Sequence, residues 1–114
     1  SLTRLTETGV IVGTVGYLAP EQIMQSPPSV ASDIYSLGVV FYELTTLERP
    51  FFGEMAIDVV RQTLEKVPVA PSRLRADVPP ELDKLILDML AKEAGDRPSA
   101  ETVLTSLDRI DTRH

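Results

Sequence analysis

The side chains of this sequence that could do chemistry are hydroxyls and carboxylates. The 114 residues include no Cys, and the single His is the last residue, His114. Disulfides, thiolate nucleophiles and Cys-based zinc or iron–sulfur sites are therefore excluded. A Ser–His or Cys–His relay is excluded as well, because no internal imidazole can act as its base.

Charge and hydropathy narrow the classes of partner. The formal net charge is −6 and the pI is about 4.7. Nucleic acids and anionic membranes both select clustered Lys and Arg, so we expect neither as a partner. The apolar stretches are only a few residues long, so we expect no membrane segment in this chain and no secretory signal. We expect a cytoplasmic location, with the cytoplasmic domain of a membrane-anchored parent as the alternative. The first residue is Ser1 rather than Met, from which we expect a piece of a longer chain.

Three glycines near the N-terminus, Gly9, Gly13 and Gly16, prompt a test for a phosphate-binding loop. Dinucleotide and kinase phosphate loops have glycines at offsets of 0, 2 and 5, and a Walker loop needs Gly-Lys-Ser/Thr. Neither spacing occurs here. Residues 1–18 are instead Thr-rich and then β-branched, which favours an irregular or extended arm.

The rest of the chain is predicted to be helical. Apolar spacing and capping residues indicate helices over residues 20–25, 32–47, 54–66, 81–91 and 100–110. Ser32 with Asp33 is the predicted start of the second helix, and Ser99 the predicted cap of the last. Residues 67–80 contain four prolines and are predicted to be an irregular surface connection.

The predicted helix over residues 32–47 is apolar on most of its circumference, which is typical of a helix at the centre of a domain. Gly38 within it indicates close packing, because a glycine there costs about 1 kcal/mol relative to alanine. Tyr35, Phe41 and Tyr42 are interpreted as core residues rather than ligand-stacking ones.

Four motifs occur in a fixed order along residues 9–110. They are Gly13 to Glu21, which ends in Ala-Pro-Glu; Ser32 to Gly38; Tyr42 to Phe51; and Asp96-Arg97-Pro98-Ser99. Together they resemble the eukaryotic-like, bacterial-type Ser/Thr protein kinases, from the activation segment onward.

The resemblance implies a mainly α fold, the helical C-lobe portion of the kinase domain. It has a short helix after Ala-Pro-Glu, a central buried helix and three further helices, with an irregular N-terminal arm. Residues 1–114 would be a partial kinase domain, in which 1–22 form the activation segment and substrate-binding loop and 29–110 the helical C-lobe. In the family other helices wrap the central helix, so we expect it to be partly uncovered here.

The resemblance also assigns the substrate-binding residues. Thr14 matches the threonine that reaches toward the catalytic aspartate and helps to select Ser or Thr as acceptor. The surface that receives the next substrate residue matches Val15, Gly16, Tyr17 and Leu18.

Thr6 and Thr8 are similar to the autophosphorylation sites of bacterial members of the family. A phosphate there would add nearly two negative charges and could order the loop against an Arg cluster. The alternative is a solvated Thr-rich loop without regulation.

Three further residues are assigned supporting roles by the resemblance. Glu21 and Arg97 match a buried ion pair that ties the activation segment to the base of the large lobe. In the alternative interpretation Glu21 only favours a helix start and Arg97 is solvated. Asp33 matches an aspartate that binds the backbone of the catalytic loop, and by its position it also suits the helix dipole.

The family's chemistry is phosphoryl transfer from MgATP, and it depends on motifs that lie before Ala-Pro-Glu. None of them is found in this sequence. We expect a fragment that is inactive alone and binds neither ATP nor Mg²⁺, in a parent that uses both and phosphorylates Ser/Thr of proteins. Its other partners would be the N-lobe and the rest of the C-lobe. Two alternatives remain, a pseudokinase or kinase-derived interaction module without catalysis, and an unrelated all-α adaptor.

Overall fold

The architecture is helical throughout the part that is described. A computed structural model describes residues 14–113, with side chains as far as Asp111. Its helices, in chain order, are α1 (Pro20–Ile23), α2 (Val30–Thr46), α3 (Ala56–Glu65), α4 (Pro71–Leu74), α5 (Pro80–Met89) and α6 (Ala100–Arg113), with a 3₁₀ turn at Ala94–Asp96 before α6. No strand occurs within residues 14–113, which confirms the predicted mainly α class. The predicted irregular arm falls mostly on residues 1–13, outside the described part.

The longest of these helices, α2, begins one turn earlier than the sequence predicts. Ser29 is the N-cap: its Oγ accepts from the Ser32 N–H at 3.1 Å, and the Ser32 Oγ accepts from the Ser29 N–H at 2.7 Å. This reciprocal pair is a capping box, with Ser32 in the position usually held by Glu or Gln. The prediction of Ser32 as the start was therefore wrong, because Ser32 closes the box from the third helical position.

Close packing between α2 and α5 forms the centre of the molecule. A Cβ added to Gly38 would lie 2.8 Å from the Cβ of Met89, so the glycine allows the two helices to approach. On the same face of α2, Tyr35 and Tyr42 are buried in a cluster with Ile86 and Leu90 of the α5 region. The predicted core role of these tyrosines follows from that contact.

The opposite face of α2 is open. Leu44 and Leu47 are 73% and 76% exposed, and Leu37 and Val40 are each 38% exposed. The family resemblance implies this partial exposure, because in the family other helices wrap the central helix. None of the helices in residues 14–113 is long and apolar enough to cross a membrane.

A second cluster joins α1 and α3 to the residues that precede α1. Its buried members are Val15, Ile23, Phe51, Ala56, Val59 and Val60, and Leu18 packs against them. Packing of Val15 and Leu18 in this cluster therefore supports the residues after Thr14 against α3.

The Pro-rich connection between α3 and α5 is more ordered than predicted. It contains α4, whose Ser72 N–H donates to Asp83 Oδ1 of α5 at 2.8 Å, while the Ser72 hydroxyl contacts the other carboxylate oxygen. The Tyr42 hydroxyl donates to the Val69 carbonyl at 2.6 Å. The prediction of an irregular segment over all of 67–80 was therefore wrong. Pro71 at the first helical position favours a helical turn.

Candidate functional site

The residues predicted to bind substrate form a short loop above α3. Thr14 and Val15 have helical backbone, and two turn hydrogen bonds follow, from Tyr17 N to Thr14 O at 3.2 Å and from Leu18 N to Val15 O at 3.1 Å. Val15 and Gly16 are buried, whereas Thr14 is exposed. We call residues 14–19 the anchored loop. Its exposed end carries the hydroxyl of Thr14, and its buried end joins α1.

One attachment of the anchored loop runs through Tyr17. The Tyr17 hydroxyl donates to Glu43 Oε1 of α2 at 2.7 Å, and the Ser36 hydroxyl donates to the Tyr17 carbonyl at 2.6 Å. The hydrogen bond to Glu43 and, after it, burial raise the pKa of the Tyr17 hydroxyl. Both ends of Tyr17 are therefore held by α2.

Arg49 completes this attachment from the loop that follows α2. Its Nε lies 3.5 Å from Glu43 Oε1, and its guanidinium lies 5.4 Å from the centroid of the Tyr17 ring. The Glu43 and Arg49 side chains are 29% and 39% exposed. Tyr17, Ser36, Glu43 and Arg49 together are called the tyrosine anchor.

The second attachment is the pair of Glu21 and Arg97, which we call the arginine anchor. The guanidinium nitrogens Nη1 and Nη2 donate to the two carboxylate oxygens of Glu21 at 2.7 and 2.8 Å. The Arg97 side chain is fully buried and that of Glu21 is 23% exposed. Two parallel, charge-assisted hydrogen bonds of this kind fix orientation as well as distance.

Every N–H of the Arg97 guanidinium is used. Besides the two bonds to Glu21, Arg97 donates to the carbonyls of Ala31, Ala91 and Lys92 at 2.9, 2.9 and 3.3 Å. These bonds join α1, the first turn of α2 and the segment after α5. Hydrogen bonds from Arg97 hold the pKa of the Glu21 carboxyl below its usual value, although burial acts in the opposite direction. Glu21 is therefore held in its charged form.

The remaining predicted site residues are not brought together with the anchors. Asp33 is exposed in the first turn of α2, where its backbone N–H donates to the Ser29 carbonyl at 3.0 Å. Thr6 and Thr8 lie outside the described residues. Sequence analysis assigned no role to Ser36, Glu43 or Arg49. Glu43 offered a signal, since it is a carboxylate within an otherwise apolar run of α2.

The described residues do not fit a nucleotide or metal site of their own. Residues 14–111 contain no group of three or more His, Cys, Asp or Glu side chains that could hold a metal ion. The anchored loop also presents buried Val15 and Gly16 rather than a cradle of glycines and a lysine.

Comparison with known proteins agrees with this geometry. The sequence matches the family described as protein kinase domain over residues 1–107. It is 45% identical over 93 residues to the serine/threonine-protein kinase PknB of Mycolicibacterium smegmatis. The aligned region covers 82% of this chain and 15% of the relative. It is also 34% identical over 126 residues to PknB of Mycobacterium leprae, covering 94% and 20%. The serine/threonine-protein kinase PknL of Mycobacterium tuberculosis is 40% identical over 93 residues, covering 82% and 23%.

The match over residues 1–107 includes both Ala19-Pro20-Glu21 and Arg97-Pro98, whose side chains Glu21 and Arg97 form the arginine anchor. The chain belongs to the protein kinase domain family, and the three relatives named above are bacterial Ser/Thr kinases. It spans between about a seventh and a quarter of the length of these relatives.

Proposed function

We propose that this chain is the substrate-binding and helical part of a Ser/Thr protein kinase that transfers the γ-phosphate of ATP to protein hydroxyls. Residues 1–22 would form the activation segment and substrate-binding loop, and residues 29–110 the helical C-lobe. The observation that carries the proposal is the double attachment of residues 14–21, at Tyr17 to α2 and at Glu21 to Arg97. A loop held at two points can present one fixed surface to a peptide, and such positioning of the substrate can lower the barrier to reaction.

The roles within the loop come from the family resemblance, and exposure supports those of Thr14, Tyr17 and Leu18, since Val15 and Gly16 are buried. Thr14 is exposed and would orient the acceptor hydroxyl, which accounts for a preference for Ser and Thr. Val15 to Leu18 would receive the substrate residue that follows the acceptor. Glu21 and Arg97 would be positioning residues, since they act through the loop and touch no reacting atom.

ATP and Mg²⁺ would be held by residues of the same domain outside this chain, since the side chains of residues 14–111 include no group of carboxylates that could hold a metal ion. Phosphoryl transfer in this family depends on a metal-bound nucleotide and a catalytic aspartate. The location that suits a protein substrate and ATP is the cytoplasm. Thr6 and Thr8 would be phosphorylation sites that regulate the loop through added negative charge.

The test is a phosphotransfer assay on the full-length protein with peptides that differ only in carrying Ser, Thr or Tyr as acceptor. We expect transfer to Ser and Thr, and phosphate on Thr6 or Thr8 by mass spectrometry after autophosphorylation. Thr14→Ala should lower kcat about 10- to 100-fold, as expected when an acceptor is misplaced by about 1 Å. The matched control is Thr105→Ala, on the exposed face of α6.

Several outcomes would count against the proposal. Unchanged kcat in Thr14→Ala would remove its assigned role. Unmodified Thr6 and Thr8 under autophosphorylating conditions would remove the regulatory one. A full-length protein that binds the peptides but transfers no phosphate would be an interaction module rather than a kinase.

A further inference from the structure

Lys92, which follows α5, is held at both its backbone and its side chain. Its carbonyl accepts a hydrogen bond from Arg97 Nη2 at 3.3 Å, as part of the arginine anchor. Its Nζ lies over the Phe51 ring, 4.3 Å from the centroid, and donates to the carbonyl of Gln62 in α3 at 3.4 Å. Lys92 therefore joins the arginine anchor to the helix that supports the anchored loop.

The Lys92 ammonium binds the carboxyl end of α3. The Gln62 carbonyl that it contacts also accepts the closing hydrogen bond of this helix, from the Lys66 N–H at 2.8 Å. The last turn of α3 contains no basic residue, and Lys66, which follows it, is exposed. A cation at this end of a helix is favoured by the helix dipole. Lys92 supplies that cation from a separate segment of the chain.

The same side chain helps to hold Phe51 and Phe52 against α3. Phe51 is 3% exposed, and the face of an aromatic ring attracts a cation. Gln62 holds the next residue, because its Nε2 donates to the Phe52 carbonyl at 2.7 Å and its Oε1 accepts from the Phe52 N–H at 3.4 Å. Lys92 forms no ion pair with an acidic side chain of residues 14–111, so within that part the ring and the helix end hold its charge. We call Lys92, Gln62 and Phe51 the lysine clamp.

The lysine clamp shares a residue with the cluster that supports the anchored loop. Phe51 is buried in that cluster with Val15 of the loop and with Val59 and Val60 of α3, and Leu18 packs against it. Protein interiors are close-packed, so a shift of the Phe51 ring is transmitted to its neighbours. The positions of Val15 and Leu18 therefore depend in part on Phe51.

We propose that Lys92 is a positioning residue for peptide binding, which couples the arginine anchor to the cluster that supports the anchored loop. Its backbone is fixed by Arg97, and its ammonium fixes Phe51 and the end of α3 relative to that backbone. The attachment of the loop at Glu21 and its support at Val15 are then set by one segment of the chain. Lys92 itself touches no reacting atom, and its role rests on the proposed kinase function.

The test compares Lys92→Met with Lys92→Arg in the full-length protein. Methionine is unbranched and uncharged, whereas arginine keeps the charge and also stacks on aromatic rings. Lys92→Met should raise KM for peptide about three- to tenfold with kcat nearly unchanged, because only the binding surface is displaced. Lys92→Arg should leave both constants close to those of the wild type.

The matched control is Lys84→Met, which removes a lysine of α5 that is 77% exposed. Its KM for peptide should equal that of the wild type. A KM in Lys92→Met no higher than in Lys84→Met would overturn the positioning role. A Lys92→Arg protein as impaired as Lys92→Met would also overturn it, since the charge would then not be what positions the loop.

The route through the ring is tested by adding Phe51→Leu. In that background Lys92→Met should change KM for peptide very little, because no ring remains beneath the ammonium and the two effects are not additive. An increase in KM as large as in the wild-type background would refute the route through Phe51.

Amide hydrogen exchange gives a readout that requires neither Phe51→Leu nor kinase activity. The Leu18 N–H donates to the Val15 carbonyl at 3.1 Å, so its exchange rate reports how firmly the loop is supported. Lys92→Met should speed exchange at Leu18 and in the last turn of α3 several-fold, and Lys92→Arg should not. Equal exchange in the two variants would refute the coupling even in an active kinase. Faster exchange in Lys92→Met in a protein that transfers no phosphate would support the coupling and count against the kinase function alone.

Discussion

The two attachments of residues 14–21 differ in burial and in the number of elements that they join. In the arginine anchor, a fully buried guanidinium binds Glu21 and three backbone carbonyls, one in the first turn of α2 and two in the segment after α5. In the tyrosine anchor, Glu43 and Arg49 are 29% and 39% exposed, and the ion pair between them is 3.5 Å long. One attachment is enclosed by the fold, and the other is open to water.

This difference indicates different roles. A buried charged pair is costly to break, because the partner that remains is left without compensation. A partly exposed hydrogen bond can be exchanged for water at about 1 kcal/mol. The arginine anchor therefore sets where the loop joins the helices, and the tyrosine anchor sets how the exposed part of the loop is oriented.

The largest expected effect is that of Arg97→Ala. It removes five hydrogen bonds and leaves Glu21 and three carbonyls without their donor. We expect a loss of about 3–5 kcal/mol in the free energy of unfolding, measured by urea denaturation of the full-length protein. Arg97→Lys should recover only part of this loss, because an ammonium cannot donate two parallel bonds to a carboxylate.

A matched control for this variant is Lys84→Ala, which breaks the exposed pair with Asp88. Such an i,i+4 pair on a helix surface contributes about 0.5 kcal/mol or less. If Arg97→Ala cost no more than Lys84→Ala, the buried arginine anchor would contribute no more to stability than an exposed surface pair.

A smaller effect is expected when Glu21 is protonated. Its pKa is lowered in the folded state, so its contribution to stability is present above the unfolded pKa and is lost as pH falls through the folded pKa. Stability should therefore fall in acid more steeply in the wild type than in Glu21→Gln. Urea denaturation between pH 7 and 3 measures this difference, and parallel curves for the two proteins would show that Glu21 is not held as an anion.

The arginine anchor was expected only through the family resemblance, which rests on short motifs in a fixed order and implies a pair between the Glu of Ala-Pro-Glu and the Arg of Asp-Arg-Pro. The helices were predictable for a different reason, since apolar spacing shows which face of each segment is buried. The ends of the helices were less predictable than their buried faces. The start of α2 was missed because Ser29 and Ser32 both suit a cap, and only the backbone geometry shows that Ser29 holds that position.

The tyrosine anchor could not be predicted in the same way. Ser36 and Glu43 lie about two helical turns apart on α2, and Arg49 lies beyond its end. They meet only because the loop places Tyr17 beside α2, and no local pattern in the sequence records that tertiary contact. The Ser72–Asp83 contact that orders α4 was missed for the same reason.

The smallest expected effect on stability, and the sharpest on substrate binding, is that of Tyr17→Phe. It removes the bond to Glu43 and should cost about 1 kcal/mol in the free energy of unfolding, since water can replace the partner. KM for peptide should rise several-fold with kcat nearly unchanged, because the loop stays joined at Glu21 and only its orientation is relaxed. The matched control is Tyr42→Phe, which removes a bond of similar length to the Val69 carbonyl, away from the loop.

Alkaline pH gives a second readout of the same change. The pKa of Tyr17 is raised in the folded state, so its contribution is fully present below the unfolded pKa of about 10 and is lost as pH rises through the folded pKa. Tyr17→Phe should therefore lose less stability than the wild type between pH 9 and 11. Tyr35 and Tyr42 also have raised pKa values, but they are present in both proteins and cancel in the comparison. A rise in KM in Tyr42→Phe equal to that in Tyr17→Phe would mean that general loosening, and not the tyrosine anchor, controls peptide binding.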